Sequence, residues 1–226
     1  MSSHGGTRLK IGPSVLSADF LHYGDALKEV EFGGADYVHF DVMDGHFVPN
    51  ISIGFPLLDA TLRGVSIPVD VHLMIDNPDL WAPEFAAKGA SQVTFHAEAT
   101  LHAHRLITSI RAAGAQAGMA INPATSLTAV ELMIPFLSNL LVMTINPGFG
   151  GQELIPEMME KVTRARKLID ALNPECDLQV DGGIGLDTIR DVREAGANSF
   201  VAGSAVFNES GAPSENIQAL RKAAER

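Results

Sequence analysis

The sequence has a single cysteine and no long apolar run, and each of these absences excludes a class of protein. Its 226 residues include one cysteine, Cys176, so no disulfide can form within the chain, and a reducing compartment is expected. Apolar runs such as residues 139–143 are far shorter than the ~20 residues of a membrane helix. Residues 1–7 lack the apolar segment of a signal peptide. We therefore expect a cytoplasmic protein with no membrane partner.

The charge balance argues against a nucleic-acid partner. The chain has 27 acidic and 16 basic residues, a formal net charge of -11, which repels polyanions unless a basic patch offsets it. The basic run at 164–167 lies in a helical pattern and is typical of a solvated face. With 46% hydrophobic residues, the chain can bury a sizeable core. We expect a disordered lead-in over residues 1–8 and one catalytic domain over 9–226.

Short apolar runs alternate with amphipathic stretches along the whole chain. The predicted strands are Leu9–Val15, Tyr37–Asp41, Val69–Leu73, Gln92–His96, Gln116–Ile121, Asn139–Ile145, Asp177–Asp181 and Ser199–Ala202. The predicted helices are Tyr23–Phe32, Pro56–Arg63, Leu80–Lys88, Leu101–Ala113, Leu127–Leu132, Pro156–Leu172, Leu186–Ala195 and Ser214–Ala224. Gly33, Gly89, Gly114 and Gly196 are placed to end helices in the left-handed conformation.

Eight strand–helix units predict an α/β protein with a single (β/α)8 TIM barrel. The alternative is an open doubly wound sheet, whose dinucleotide-binding members carry Gly-x-Gly-x-x-Gly after the first strand. That motif is missing here, since the corresponding segment Gly12-Pro-Ser-Val-Leu-Ser has one glycine. The barrel is therefore favoured.

Histidine and aspartate occupy the carboxyl ends of three predicted strands. His39 and Asp41 lie two residues apart on the second strand and so share a face; His72 ends the third strand and Asp181 the seventh. The carboxyl ends of barrel strands form the active-site face, and two imidazoles with two carboxylates suit one Zn²⁺, Fe²⁺, Mn²⁺ or Co²⁺ ion per subunit. The alternative is a pair of hydrogen-bonded barrel histidines with helix-capping aspartates.

Glycine clusters follow the last three predicted strands. They lie within residues 146–152, 181–183 and 203–204. Backbone N–H groups without crowding side chains can surround an anion, and phosphate sites recur in this part of the barrel. Since these loops contain no Lys or Arg, we expect the backbone to bind a phosphate group.

The remaining polar residues narrow the chemistry. None of the six lysines lies at the carboxyl end of a predicted strand, which disfavours a Schiff-base mechanism. Cys176 precedes the seventh strand and is therefore remote from the active-site face, which disfavours catalysis by a thiol. His96 is interpreted as packing or loop support, and Asp44 as a turn residue before Gly45. Two carboxylates on opposite sides of a planar intermediate can remove a proton from one face and return one to the other, which is epimerisation.

The sequence closely resembles the ribulose-phosphate 3-epimerase family of the pentose-phosphate pathway and Calvin cycle. The resemblance spans nearly the whole chain, in the family's order. Six segments carry it: 13–19 (PSVLSAD), 39–50 (HFDVMDGHFVPN), 70–74 (DVHLM), 143–152 (MTINPGFGGQ), 180–184 (VDGGI) and 202–207 (AGSAVF).

The resemblance implies a ribulose-phosphate-binding barrel that interconverts D-ribulose 5-phosphate and D-xylulose 5-phosphate. It implies that His39, Asp41, His72 and Asp181 hold the metal and that Asp41 and Asp181 are the catalytic acid–base pair. It further implies substrate contacts from Ser14, His72, Gly148, Phe149, Gly150, Gly151, Asp181, Gly182, Gly183, Gly203 and Ser204, and methionines Met43, Met74 and Met143 against the intermediate. The family forms homodimers and larger rings, so a homo-oligomer is expected.

Three alternatives remain beside this function. One is 3-epimerisation of a six-carbon ketose phosphate such as D-allulose 6-phosphate, and another is a sugar-phosphate-binding barrel without catalysis. A related decarboxylase or hexulose-phosphate synthase would carry Asp-x-Lys-x-x-Asp at a strand end. This chain has Asp41-Val-Met-Asp instead, without the lysine.

Overall fold

A computed structural model describes residues 8–226 as one barrel of parallel strands. The strands are β1 Lys10–Pro13, β2 Val38–Met43, β3 Val69–Met74, β4 Gln92–His96, β5 Gln116–Ile121, β6 Asn139–Met143, β7 Asp177–Asp181 and β8 Ser199–Ala202. They pair in the order β1-β8-β7-β6-β5-β4-β3-β2, and a parallel bridge between Ser14 and His39 brings β1 against β2. The predicted (β/α)8 barrel is confirmed.

Helices connect most of the strands. They are α1 Tyr23–Phe32, α2 Phe55–Gly64, α3 Pro78–Ala87, α4 Ala103–Ala112, α5 Met158–Leu172, α6 Ile189–Glu194 and α7 Pro213–Glu225. No helix within residues 8–226 combines the length and the apolar character needed to cross a membrane. The predicted lead-in over residues 1–8 lies outside the described residues except for Arg8, whose guanidinium is 3.0 Å from the Asp36 carboxylate.

The connection between β5 and β6 departs from the pattern. The predicted helix Leu127–Leu132 is replaced by two 3-10 helices, Leu127–Ala129 and Glu131–Phe136. Pro135 lies inside the second one, and since proline has no N–H to donate, it cannot extend a regular α-helix there. The connection between β5 and β6 therefore consists of short 3-10 turns.

The two faces of the barrel strands carry different residues: the faces covered by the helices are apolar, and the faces inside the barrel carry many polar side chains. Phe40, Phe95 and Phe200 are fully buried between strands and helices, so Phe40 faces away from His39 and Asp41 as the alternation predicts. The opposite faces of the strands carry buried polar residues, among them Asp70, Asn139 and Gln179. The buried polar side chains therefore lie inside the barrel, where a functional site is to be sought.

Three of the four predicted left-handed helix ends are confirmed. Gly89, Gly114 and Gly196 have φ of 109°, 104° and 115°. The prediction for Gly33 is wrong: its φ is -68°, and the left-handed residue is Gly34, with φ 80°. The helix ends at Phe32 as predicted, and the left-handed residue is the second of two adjacent glycines, because Gly33 keeps a right-handed conformation as the C-cap.

Candidate active site and metal centre

Strand register brings the four predicted ligands to one point. His39 and Asp41 share the inner face of β2, and Asp41 pairs with His72 of β3. Asp181 ends β7, beside Met143 of β6. Because β2 and β7 are separated by β8 and β1 in the barrel, the two carboxylates approach the cluster from different sides.

The interatomic distances within this His–Asp cluster (His39, Asp41, His72 and Asp181) are short. His39 Nε2 lies 3.2 Å from Asp41 Oδ1 and 3.8 Å from Asp181 Oδ2. His72 Nδ1 lies 3.1 Å and 3.6 Å from the same two oxygen atoms. One donor atom from each residue falls within 4.8 Å of the others. The sequence-based expectation that these residues converge agrees with this geometry.

The chemistry of the His–Asp cluster fits a bound divalent cation. His39 is fully buried, its Nδ1 lies 3.0 Å from Asp70 Oδ2, and its Nε2 has no hydrogen-bond partner. An unsatisfied nitrogen buried beside two carboxylates is costly, and a bound cation would satisfy it. Two imidazole nitrogens and two carboxylate oxygens form a suitable donor set for a borderline divalent metal.

Burial and neighbouring charge move the pKa values of the two aspartates in opposite directions. Burial raises the pKa of Asp181 to about 7, and the negative charge of Asp41 adds to the increase. Burial would also raise the pKa of Asp41, but the charge and the hydrogen bond of His39 outweigh burial and hold that pKa below the ordinary value. In the absence of a cation, Asp41 is therefore ionised at neutral pH, whereas Asp181 holds a proton far more readily than an ordinary carboxylate.

The two histidines differ as well. Burial alone would lower the pKa of His39, but Asp41 and Asp70 outweigh burial and raise it well above the ordinary value. Burial lowers the pKa of His72, so this imidazole is neutral near pH 7. His72 and His96 are in contact through their Nε2 atoms, 2.9 Å apart.

Ser14 and the three predicted methionines lie around the cluster. The buried Ser14 hydroxyl donates to Asp41 Oδ2 at 2.6 Å, which leaves Oδ1 of that carboxylate towards the histidines. Met43, Met74 and Met143 line the cavity above. Thioether side chains present a polarisable apolar surface to whatever occupies this space.

A cavity of about 660 Å³ opens over the cluster. Its walls include both aspartates, Ser14, Phe149 and all the predicted phosphate-loop residues, Gly148, Gly150, Gly151, Gly182, Gly183, Gly203 and Ser204. No Lys or Arg is among its lining residues in the described part of the chain. His39 and His72 are fully buried and do not line it, so both histidines lie behind the surface that a substrate would meet.

Two glycines between β7 and α6 are required by geometry. Gly182 and Gly183 have φ of 125° and 66°, a region that side chains disfavour. A Cβ at Gly183 would lie 2.3 Å from the backbone nitrogen of Leu154, and one at Gly182 would lie 2.5 Å from Ile145 Cγ1. These glycines let the β7 loop pack directly against the loop after β6.

Three neighbouring polar residues, Asp70, His96 and Glu98, were not assigned a role at the cluster from the sequence. Asp70 lies 3.0 Å from His39 Nδ1 and accepts hydrogen bonds from Gln92 and Gln179. His96, expected only to support packing, contacts His72, and Glu98 lies 3.3 Å from His96. The available signal was alternation, because Asp70 and His72 are two residues apart on one strand and must share a face.

Asp44 has the predicted turn role. Its Oδ1 accepts the backbone N–H groups of His46 and Phe47 at 2.8 and 3.0 Å. Its Oδ2 accepts the N–H of Asp76 at 2.8 Å, which also ties the loop after β2 to the loop after β3. Asp44 is therefore a structural carboxylate near the cavity, outside the His–Asp cluster.

Comparisons with known proteins agree with the sequence resemblance. Residues 10–207 match the model of the ribulose-phosphate 3 epimerase family. Ribulose-phosphate 3-epimerase of Mycobacterium tuberculosis is 49% identical over 95% of this chain and 92% of its own length. The Bacillus subtilis enzyme of the same name is 46% identical over 89% and 94%, and that of Escherichia coli 45% over 88% and 89%.

Solved structures resemble the fold at much lower sequence identity. A structure of KGPDC from Streptococcus mutans has a TM-score of 0.73 and 14% identity, with 96% of this chain and 98% of that one covered. Orotidine 5'-phosphate decarboxylase from Pyrococcus horikoshii has a TM-score of 0.65 and 14% identity, with 96% and 99% covered. These similarities establish the barrel architecture.

Proposed function

The chain belongs to the ribulose-phosphate 3-epimerase family, and from this premise we propose that it interconverts D-ribulose 5-phosphate and D-xylulose 5-phosphate. It is an isomerase, like the relatives it matches. The observation that carries the reaction is the pair Asp41 and Asp181, placed in one cluster at a cavity with pKa values displaced in opposite directions.

The metal centre is the first part of the proposal. His39, Asp41, His72 and Asp181 would hold one divalent ion through the atoms that already converge. When bound, Zn²⁺, Fe²⁺, Mn²⁺ or Co²⁺ supplies positive charge that stabilises developing negative charge on substrate oxygen atoms. Asp70 contributes by holding His39 Nδ1 at 3.0 Å, which keeps Nε2 directed at the cluster.

Proton transfer is the second part. One aspartate removes the proton from C3 of the substrate, and the other delivers a proton to the opposite face of the planar enediolate. The two residues exchange roles when the reaction runs in reverse. Their opposite pKa displacements support the assignment, because one group is then ready to accept a proton while the other can hold one.

Substrate positioning is the third part. Ser14 would contact the sugar, while the backbone of Gly148 to Gly151, Gly182, Gly183, Gly203 and Ser204 would bind the phosphate group. The sugar contact expected from His72 is not retained, because that side chain is fully buried behind the cavity wall. The lack of cationic side chains among the cavity-lining residues of the described chain supports binding by N–H groups. Met43, Met74 and Met143 would pack against the planar intermediate.

The cellular setting and assembly are part of the same proposal. We place the enzyme in the cytoplasm, in a pathway of pentose phosphate conversion, as a homo-oligomer that is either a dimer or a larger ring. The free, buried Cys176 is compatible with a reducing compartment. Sedimentation velocity tests the assembly, and a single monomeric species at micromolar concentration would contradict it.

Activity assays test the reaction most simply. The metal-loaded protein should form D-xylulose 5-phosphate from D-ribulose 5-phosphate with a higher kcat/KM than for D-allulose 6-phosphate. A higher value on the six-carbon sugar would reassign the substrate. Binding of either sugar without turnover, unchanged in Asp181→Asn, would indicate a binding protein. The exposed variant Asp25→Asn, on α1, is the matched control because it makes the same change outside the cavity.

A further inference from the structure

His96 and Glu98 form a polar connection that begins at the back of the His–Asp cluster. His96 is fully buried at the end of β4, and its Nε2 lies 2.9 Å from Nε2 of His72. Its Nδ1 lies 3.3 Å from Oε2 of Glu98, in the 3-10 helix Ala97–Ala99. Neither residue lines the cavity, so neither can touch a substrate there.

The partners of Glu98 fix the direction of the hydrogen bonds. Its Oε1 accepts the backbone N–H of Asn122 at 2.8 Å and also the hydroxyl of Thr125. A carboxylate can only accept hydrogen bonds. The hydrogen between His96 and Glu98 must therefore be on Nδ1 of His96.

The same reasoning continues to the cluster. Since a neutral imidazole carries one N–H, His96 Nε2 is an acceptor. The 2.9 Å separation between the two Nε2 atoms requires one hydrogen between them, which must belong to His72. His72 Nδ1 is then left with a bare lone pair, facing Asp41 Oδ1 at 3.1 Å and Asp181 Oδ2 at 3.6 Å.

We propose that Glu98 and His96 are positioning residues that fix His72 in its Nε2–H tautomer, so that Nδ1 is the atom that binds the metal. The inference rests on the proposed metal centre. Three acceptor atoms facing one another repel unless a cation lies among them, and partners that hold a ligating histidine are known to tune metal affinity.

Nitrogen-15 spectra of the histidine rings test the tautomers in the wild-type protein, both metal-free and zinc-loaded. We expect His96 to carry its hydrogen on Nδ1 and His72 to carry one on Nε2. Signals are assigned by their loss in His72→Gln and His96→Gln. A hydrogen on Nε2 of His96 would overturn the proposal without any measurement of activity.

The substitution Glu98→Gln should reverse the direction of the hydrogen bonds that link residue 98, His96 and His72. The donors from Asn122 and Thr125 hold the amide oxygen, so the NH₂ group faces His96 Nδ1 and makes that nitrogen an acceptor. His96 then donates from Nε2, and His72 is left with its hydrogen on Nδ1. We expect the Kd for zinc, measured by calorimetric titration, to rise about 10- to 100-fold.

Glu31→Gln is the matched control. Glu31 also accepts a backbone N–H and a hydroxyl, both from Ser66, but it has no histidine partner, so its variant should bind zinc like the wild type. Equal zinc affinity and unchanged tautomers in folded Glu98→Gln would overturn the inference. Failure of the wild type to bind zinc would refute the metal centre instead, and the metal-free spectra would still decide the tautomers.

Discussion

At the level of single residues, the fold gives two identical side chains different properties. Asp41 lies beside the His39 imidazole and accepts a hydrogen bond from the Ser14 hydroxyl, so its charged form is favoured. Asp181 is buried beside the charge of Asp41, and its pKa rises to about 7. An acid–base pair needs such a division, because one carboxylate must accept a proton while the other can supply one.

Replacing either aspartate with asparagine should abolish most of the turnover. An amide can neither accept the C3 proton nor return one, so kcat for Asp41→Asn and Asp181→Asn should fall by about 10²- to 10⁴-fold. Steady-state assays measure the loss, and circular dichroism confirms that the barrel is folded. Near-normal turnover in either variant would exclude that residue from proton transfer.

Metal affinity should depend on pH because protons compete for the same atoms. The folded protein without metal protonates Asp181 as the pH falls through about 7, and a bound ion must displace that proton. Displacement of the Asp181 proton weakens the apparent affinity by about a further tenfold for each pH unit below that value, in addition to the cost of displacing a proton from His39. Zinc titrations across this range should therefore give a rising Kd at lower pH. A flat profile, or an unchanged slope in Asp181→Asn, would contradict the pKa assignment.

At the level of elements, the loop between β7 and α6 depends on glycine. Gly183→Ala places a Cβ 2.3 Å from the Leu154 backbone nitrogen at φ 66°, so strain of about 1–3 kcal/mol is expected. Unfolding free energy should fall by that amount, and KM for the phosphorylated substrate should rise as the loop shifts. Denaturant titrations and kinetics measure the two effects.

Gly185→Ala is the control for this loop. Gly185 has no atom within 4 Å of an added Cβ and no positive φ, so its variant should stay close to the wild type in both measurements. Equal behaviour of the two alanine variants would show that the loop has no need for glycine at position 183.

Strand positions were readable from the sequence because each strand has one apolar face. The predictions for β4, β5, β7 and β8 match the observed bounds. One helix was predicted over 127–132, where the structure has 3-10 segments at 127–129 and 131–136, because an apolar pattern of this length does not distinguish the two helix types. Choice of turn geometry depends on packing that the sequence does not encode locally.

Residues of the His–Asp cluster could be identified because strand ends converge in any such barrel. Their supporting partners could not be identified in the same way. Asp70, His96 and Glu98 act through register between neighbouring strands and through hydrogen bonds to the turn at 122–125. The hydrogen bonds of these three residues connect positions as far apart as Asp70 and Gln179, 109 residues away, and appear only once the barrel is closed.

At the level of the whole molecule, the metal centre would join strands that are remote in the chain. The four ligands come from β2, β3 and β7, so a bound ion crosslinks the folded barrel and has no equivalent site in the unfolded chain. At a free zinc concentration of about 100 times Kd, the linkage adds about 2.7 kcal/mol to the unfolding free energy. Thermal unfolding with zinc and with chelator should differ by several degrees. An identical Tm under both conditions would argue against a metal held by the barrel.

The direct test of proton transfer by two carboxylates is a single turnover of D-ribulose 5-phosphate in D₂O. One aspartate would take the C3 proton and the other would deliver a solvent-derived one. The account predicts D-xylulose 5-phosphate that carries deuterium at C3 from the first turnover, detected by mass spectrometry and NMR. Product that keeps the original hydrogen at C3 would show that one group both removes and returns it, and would contradict the roles of Asp41 and Asp181.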